Sequence, residues 1–312
     1  MLNIGNWLKQ QFVLPFGLPS PQLVNLPSGT LEYAVYGSGK PLLLLHGGVG
    51  GYDQSLILFK DCIPEGFQLI CPSRPGYLGT PLDSGKSITK QTDLLVELLD
   101  FLGVPDVGLV AMSAGGMIAY DFALRYPDKT RALVAVSAIA GQYLIPEQAA
   151  NQMAQTFFMP DLGLWLTKES LAYFPEMTIR KFINASGAIN TELVNQKVVE
   201  IMGSQQEMKL IAQIMCLMAD YNSRSVGTMN DLANGAQLSW FPFEQIKHPA
   251  LIIHGTHDNE VRFHHGVFAY EGLGSQHKER IWLEYGSHFA FYFPSQNSHA
   301  HKQFQQFLLS YA

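Results

Sequence analysis

The stretch Val107-Gly108-Leu109-Val110-Ala111-Met112-Ser113-Ala114-Gly115-Gly116-Met117 decides the fold. Its first six residues form a short, unbroken apolar run, the pattern of a strand covered on both faces. At Ser113 that run stops, and the small residues Ala114, Gly115 and Gly116 open a helical pattern. Strand, serine turn and close-packed helix make a nucleophile elbow. The tight turn lifts the hydroxyl above the sheet, and only small neighbours let strand and helix pass each other. Ser113 is therefore the candidate nucleophile. The spacing is small-x-Ser-x-Gly, with Ala111 standing where glycine is usual, a change of one methyl group.

A serine before a helix is also a common cap, so the rest of the chain has to supply what an attacking serine needs. Serine holds almost no alkoxide at neutral pH. It requires a base, an acid to orient that base, and donors for the developing oxyanion. The donors come first along the chain. In Pro41-Leu42-Leu43-Leu44-Leu45-His46-Gly47-Gly48-Val49-Gly50-Gly51 an apolar strand ends in a glycine-rich loop that lets backbone N–H groups approach a negative oxygen. The expected pair is the N–H of Gly48 and that of Ala114, with His46 and Gly47 supporting the loop. A phosphate loop is excluded by the absence of a Gly-Lys-Ser/Thr ending and of Gly-x-Gly-x-x-Gly spacing.

Asp258 is the candidate acid, since it follows the strand-like 250–254 and so lies at the sheet edge where sites form. Glu260 is its nearest rival, and Asp258 would also serve as N-cap of a helix starting near Val261. His288 is the candidate base among ten histidines, because it follows the last strand-like segment, 280–284, in a Gly-Ser-His loop. The chain order is then Ser, Asp, His. A base that must be neutral to act is expected to titrate near neutrality.

With these pieces the chain resembles the α/β-hydrolase-fold serine hydrolases of the esterase/lipase-like superfamily over nearly its whole length. The matching segments are His46-Gly47-Gly48, Ser73-Arg74-Pro75-Gly76-Tyr77, the Ser113 elbow, Gly255 to Asp258, and Gly286-Ser287-His288. The resemblance implies that Ser113, Asp258 and His288 act as nucleophile, orienting acid and base. It also implies that Arg74 fixes its loop instead of touching substrate. Serine at the nucleophile position argues against the dehalogenase and epoxide hydrolase branches, which use aspartate there.

The remaining chain agrees with this reading. Strands are expected at 22–26, 31–36, 42–45, 67–71, 107–112, 131–136, 250–254 and 280–284, and the segment 89–102 has helical spacing of leucines. Alternating strands and helices mean a mostly parallel, doubly wound α/β sheet. Between 141 and 240 the alternation stops, and a helical cap inserted after the sixth strand is expected there, flanked by core segments 1–140 and 241–312. Phe157, Phe158, Trp165, Leu166, Tyr173, Phe174, Met202, Met208, Met215 and Met218 are either cap core or acyl-pocket lining. A closing amphipathic helix is expected at 299–311.

Composition sets the limits. Apolar residues are 47% and charged residues 15% of the 312, which suits a large core and an apolar cleft. A net charge of −6 with no basic run excludes nucleic acid as a partner. Cys62, Cys71 and Cys216 lack metal or redox spacing and are expected as buried free thiols in a cytoplasmic protein. The segment 5–14 is expected to pack on the domain, with no firm membrane association. His254, His257, His264 and His265 cluster near Asp258 but show no metal-ligand spacing, so neither metal nor cofactor is expected. The expected substrate is a small hydrophobic ester. A ligand-sensing receptor on the same fold, or a C–C hydrolase, lyase or perhydrolase using the same three residues, is the alternative.

Overall fold

The structure is a computed structural model that describes residues 7–8, 10, 17–145, 160–187 and 190–312. The segment 5–14 and the candidate lining residues Phe157 and Phe158 fall largely or wholly outside that range. Eight strands make one sheet: β1 (Gln22–Leu26), β2 (Gly29–Gly37), β3 (Lys40–Leu45), β4 (Phe67–Ser73), β5 (Val107–Met112), β6 (Thr130–Val136), β7 (Ala250–Gly255) and β8 (Lys278–Leu283). Their spatial order is β1-β2-β4-β3-β5-β6-β7-β8. β2 pairs antiparallel with β1 and β4, and every later pairing is parallel.

Three helices punctuate the first strands: α1 (Tyr52–Phe59), α2 (Ile88–Phe101) and α3 (Gly115–Arg125). Between β6 and β7 the described residues form α4 (Pro160–Tyr173), α5 (Pro175–Ser186), α6 (Thr191–Gly203), α7 (Gln205–Ala219) and α8 (Ser225–Gln237). α9 (His264–Gly272) and α10 (Pro294–Tyr311) complete the chain.

Strand alternation sorts the core into two layers. Leu42, Leu44, Val110, Met112, Val134, Val136, Leu251 and Ile253 join a cluster with Phe59 of α1 and Phe304 of α10. Their neighbours Leu43, Leu45, Leu109, Ala111, Leu133, Ala135 and Ile252 join Leu95 of α2 and Ile118 of α3 on the opposite face. Ala111 is thus fully buried in the layer that α3 covers. Burying one such Leu, Ile or Val side chain stabilises the fold by roughly 1.5–3 kcal/mol.

The helices between β6 and β7 extend the first of these layers. Phe182, Val198 and Ile211 belong to the same cluster as Leu44 and Phe59. Glu207 of α7 is buried and accepts two hydrogen bonds of 2.7 Å from the N–H and hydroxyl of Ser295, at the start of α10. α10 begins at Pro294, five residues before the expected start, and bends at Asn297, whose φ/ψ of −140°/36° breaks the helix. The Asn297 side chain donates to the Ala290 carbonyl, and the apolar periodicity resumes only beyond that bend. Among the described residues no helix is long and apolar enough to cross a membrane, and the three cysteines are buried and free.

Candidate active site

β5 and α3 meet at Ser113, whose φ is +50°, a left-handed conformation that a residue with a Cβ adopts only under constraint. The constraint is visible on both sides. The Ser113 N–H donates to the Val136 carbonyl of β6, and the Ser113 carbonyl accepts from Gly116 and Ile139. A Cβ at Gly115 would sit 2.4 Å from the Leu45 carbonyl oxygen, so α3 can begin this close to β3 only with glycine there.

Opposite the serine, the loop 46–51 is held from three directions. His46 is fully buried; its Nε2 accepts from the Arg74 N–H at 2.9 Å and its Nδ1 donates to the Gly47 carbonyl at 2.8 Å. Burial and the Arg74 charge push its pKa well down, so this histidine is a neutral structural clip. Gln54 of α1 accepts from the Gly47 N–H and donates to the Gly48 carbonyl. The third hold comes from α8 and the residue before it. Arg224 donates to the Gly50 carbonyl at 2.8 Å, and Thr228 Oγ1 accepts the Val49 N–H at 3.0 Å. Asp231 takes both arms of Arg74, at 2.7 and 2.5 Å, while the same guanidinium donates to the His46 and Gly47 carbonyls. Arg74 therefore fixes the loop, as the resemblance implies. The N–H groups of Gly48 and Ala114, which both line the cavity described below, have no hydrogen-bond partner among the described residues.

The candidate acid and base meet at the carboxyl ends of β7 and β8. Asp258 Oδ2 lies 2.8 Å from His288 Nδ1, with both side chains buried. The other oxygen, Oδ1, accepts from the N–H groups of Glu260 and Val261 at 2.8 and 2.9 Å. Asp258 thus closes a turn and does not cap a helix, because α9 starts at His264, three residues later than expected. The Ser186 carbonyl at the end of α5 accepts from both His288 N–H and Asn259 N–H, tying the two loops together.

Glu260 lies on the other side of the imidazole, its Oε2 3.8 Å from His288 Nε2. The rival for Asp258's place is therefore a neighbour of the opposite ring nitrogen. Burial alone would lower the pKa of His288. The charges of Asp258 and Glu260 and the Asp258 hydrogen bond outweigh it and hold the pKa up at about 9, above the near-neutral value expected from the sequence. Burial pushes the Glu260 carboxyl up. No hydrogen bond joins Ser113 Oγ to His288, a contact that commonly tightens only when substrate binds.

Ser113, Gly48, Ala114, Glu260 and His288 line one cavity of about 750 Å³, whose walls also include Met112, Ile139, Phe182, Ile214 and Phe289. Of the candidate lining residues, Leu166, Met215 and Met218 reach it. Met208 is core, while Trp165, Tyr173 and Phe174 are exposed. The histidine cluster forms no metal site among the described residues. His254 lies 2.8 Å through Nε2 from the Val261 carbonyl, and His265 Nδ1 accepts the Ala140 N–H. Sequence reasoning missed Gln54, Thr228, Asp231 and Ser186, none of which belongs to a motif.

Elbow, mostly parallel sheet and this cavity define the α/β-hydrolase fold. Residues 40–293 match the family model described as alpha/beta hydrolase fold, and the chain belongs to that family. It is 30% identical over 259 residues to an uncharacterized hydrolase, YcgS, of Bacillus subtilis (strain 168), covering 81% of this chain and 86% of that one. A putative 2-succinyl-6-hydroxy-2,4-cyclohexadiene-1-carboxylate synthase of the same organism is 25% identical over 244 residues, 75% of this chain and 80% of the relative. Among solved structures, an alpha/beta hydrolase fold protein from Nakamurella multipartita superimposes with a TM-score of 0.84 at 30% identity, covering 93% of this chain and 99% of that one.

Proposed function

We propose that this hydrolase cleaves a largely hydrophobic carboxylic ester through an acyl-enzyme on Ser113. His288 Nε2 takes the proton of Ser113 as Oγ attacks the carbonyl carbon, and Asp258 holds the ring and balances the imidazolium. The oxyanion is received by the N–H groups of Gly48 and Ala114. Collapse breaks the ester bond, and the imidazolium proton leaves with the alcohol. Water then repeats the sequence on the acyl-enzyme, its proton passing to His288 and on to Ser113 as the acid departs.

The observation that carries this reading is that Gly48 and Ala114, whose N–H groups have no partner among the described residues, line the same cavity as a serine held at φ +50°. Two donors left open beside a strained nucleophile suit an acyl transfer site. Apolar cavity walls support a hydrophobic acyl group, with the helices between β6 and β7 serving as the cap over it. Three free thiols support a cytoplasmic setting.

Fluorophosphonate labelling and turnover of short-chain nitrophenyl esters test it together. Wild type should label once, at Ser113, and release nitrophenol with a burst; folded Ser113→Ala should do neither. Undiminished labelling of Ser113→Ala would remove the nucleophile assignment. Labelling without turnover of any ester would favour a receptor, or carbon–carbon hydrolysis or lyase chemistry by the same three residues.

A further inference from the structure

Glu260 is a carboxylate at the reacting centre to which the reaction above gives no task. Its side chain, 29% exposed, lines the cavity that holds Ser113, and its carboxylate accepts no hydrogen bond from the described residues. Of the other charged side chains on that wall, Asp231 is closed by Arg74 and Tyr77, and Lys181 is exposed and is not among the charges that act on Glu260, which are those of His288 and Asp258. The imidazole of His288 stands between two carboxylates, and one added proton can sit on the ring or on Glu260. With the proton on the imidazole, both carboxylates are charged; with it on Glu260, only Asp258 is charged. Either distribution leaves one net negative charge at the wall of a largely apolar cavity.

The geometry also says on which side of the reaction this charge acts. Nε2 collects the serine proton and must then hand it to the departing oxygen, so groups within reach of Nε2 border the leaving group. Glu260, 3.8 Å from that atom, stands there. Asp258 already balances the imidazolium through Nδ1, which leaves the charge of Glu260 in surplus. A half-buried charge without a full partner is incompletely solvated, and a ligand that supplies the partner is bound more tightly for it.

We propose that Glu260 makes the leaving-group subsite a cation site, so that the preferred substrate joins an apolar acid to an alcohol carrying a positively charged amine a few bonds from the ester oxygen. This rests on the esterase reading. A carboxylate on the alcohol is disfavoured at the same place by repulsion.

The test compares three butyrate esters: choline, its uncharged isostere 3,3-dimethylbutanol, and glycolate. Each is assayed with wild type and Glu260→Gln, using fluorophosphonate titration of Ser113 to count active sites. Wild type should favour the choline ester over its isostere at least about tenfold in kcat/KM, the scale of one partly screened ion pair, with the glycolate ester slowest. Added salt should erode the preference. In Glu260→Gln the ratio should fall towards one. The ratio is the readout, not the rate, because removing the carboxylate also changes the imidazole.

Equal kcat/KM values in wild type, or a preference that survives Glu260→Gln, would overturn the proposal while leaving the esterase reading intact. A protein that labels at Ser113 yet hydrolyses none of these esters or the nitrophenyl ones would end the esterase reading and this proposal with it. If Glu260→Gln does not fold, the wild-type ratio and its salt dependence decide the matter alone.

Discussion

Asp258 and Glu260 are two residues apart and face opposite nitrogens of one imidazole, and the difference in their roles follows from that. Asp258→Asn should leave the fold intact and lower turnover on the order of 10⁴-fold, because an amide in place of the carboxylate stabilises the wrong tautomer of His288. Retention of most activity would show that Asp258 only closes its turn. The pH profile reports the other carboxylate. His288 acts as a base only when neutral, and its pKa is raised to about 9, so kcat/KM should climb with pH through that range. Glu260→Gln removes a charge that favours the imidazolium, so the rising limb should move to lower pH and activity near neutrality should increase relative to the plateau. A limb that stays in place would deny the coupling across 3.8 Å. Asp258 and His288 were legible as candidates because each follows a strand whose apolar pattern is plain. The position of Glu260 was not, since the course of residues 258–263 depends on the hydrogen bonds to Asp258 Oδ1.

α8 behaves as part of the site although it lies between β6 and β7, outside the alternating strand-helix pattern. Thr228 holds the Val49 N–H and donates to the Arg224 carbonyl, so one hydroxyl ties the loop after β3 to the helix. Thr228→Val keeps the shape and removes the acceptor. It should lower kcat several-fold with little change in KM, since the neighbouring Gly48 N–H is used most in the transition state. Thr228→Ser should restore it; loss of activity in both variants with KM rising instead would assign Thr228 to substrate binding. Asp231 carries a larger share of stability. Asp231→Ala leaves Arg74 buried without its carboxylate and should destabilise the fold by about 3–5 kcal/mol in denaturant unfolding. None of this could be read from the chain, because a threonine and an aspartate on a polar helix look like a solvated face until the tertiary fold brings them to the loop. That helices follow β6 was legible from the end of the strand-helix alternation.

On the scale of the whole molecule, the eight strands and their parallel wiring were written in short apolar runs, and each expected strand matches an observed one to within a few residues. Harder to read was how the helices between β6 and β7 sit on that sheet. Phe182, Val198 and Ile211 share one apolar cluster with Leu44 and Phe59 beneath the sheet, and two buried ion pairs, Arg74–Asp231 and Arg224–Asp53, cross between the same two parts. A shared core couples unfolding: the helices cannot leave without exposing the face of the sheet they cover, nor can the sheet melt beneath them. The molecule should therefore unfold as one unit. Variants that keep only Trp165, on α4, or only Trp282, on β8, report the two parts separately by fluorescence. Both should follow a single guanidinium transition that coincides with far-UV circular dichroism. Ile211→Ala, a deletion in α7 far along the chain from any strand, should lower the midpoint seen by both probes equally, corresponding to about 2–5 kcal/mol. If Trp165 reports melting at clearly lower denaturant than Trp282, the inserted helices form an independent lid, and the loop 46–51 would then lose its hold on α8 each time that lid opened.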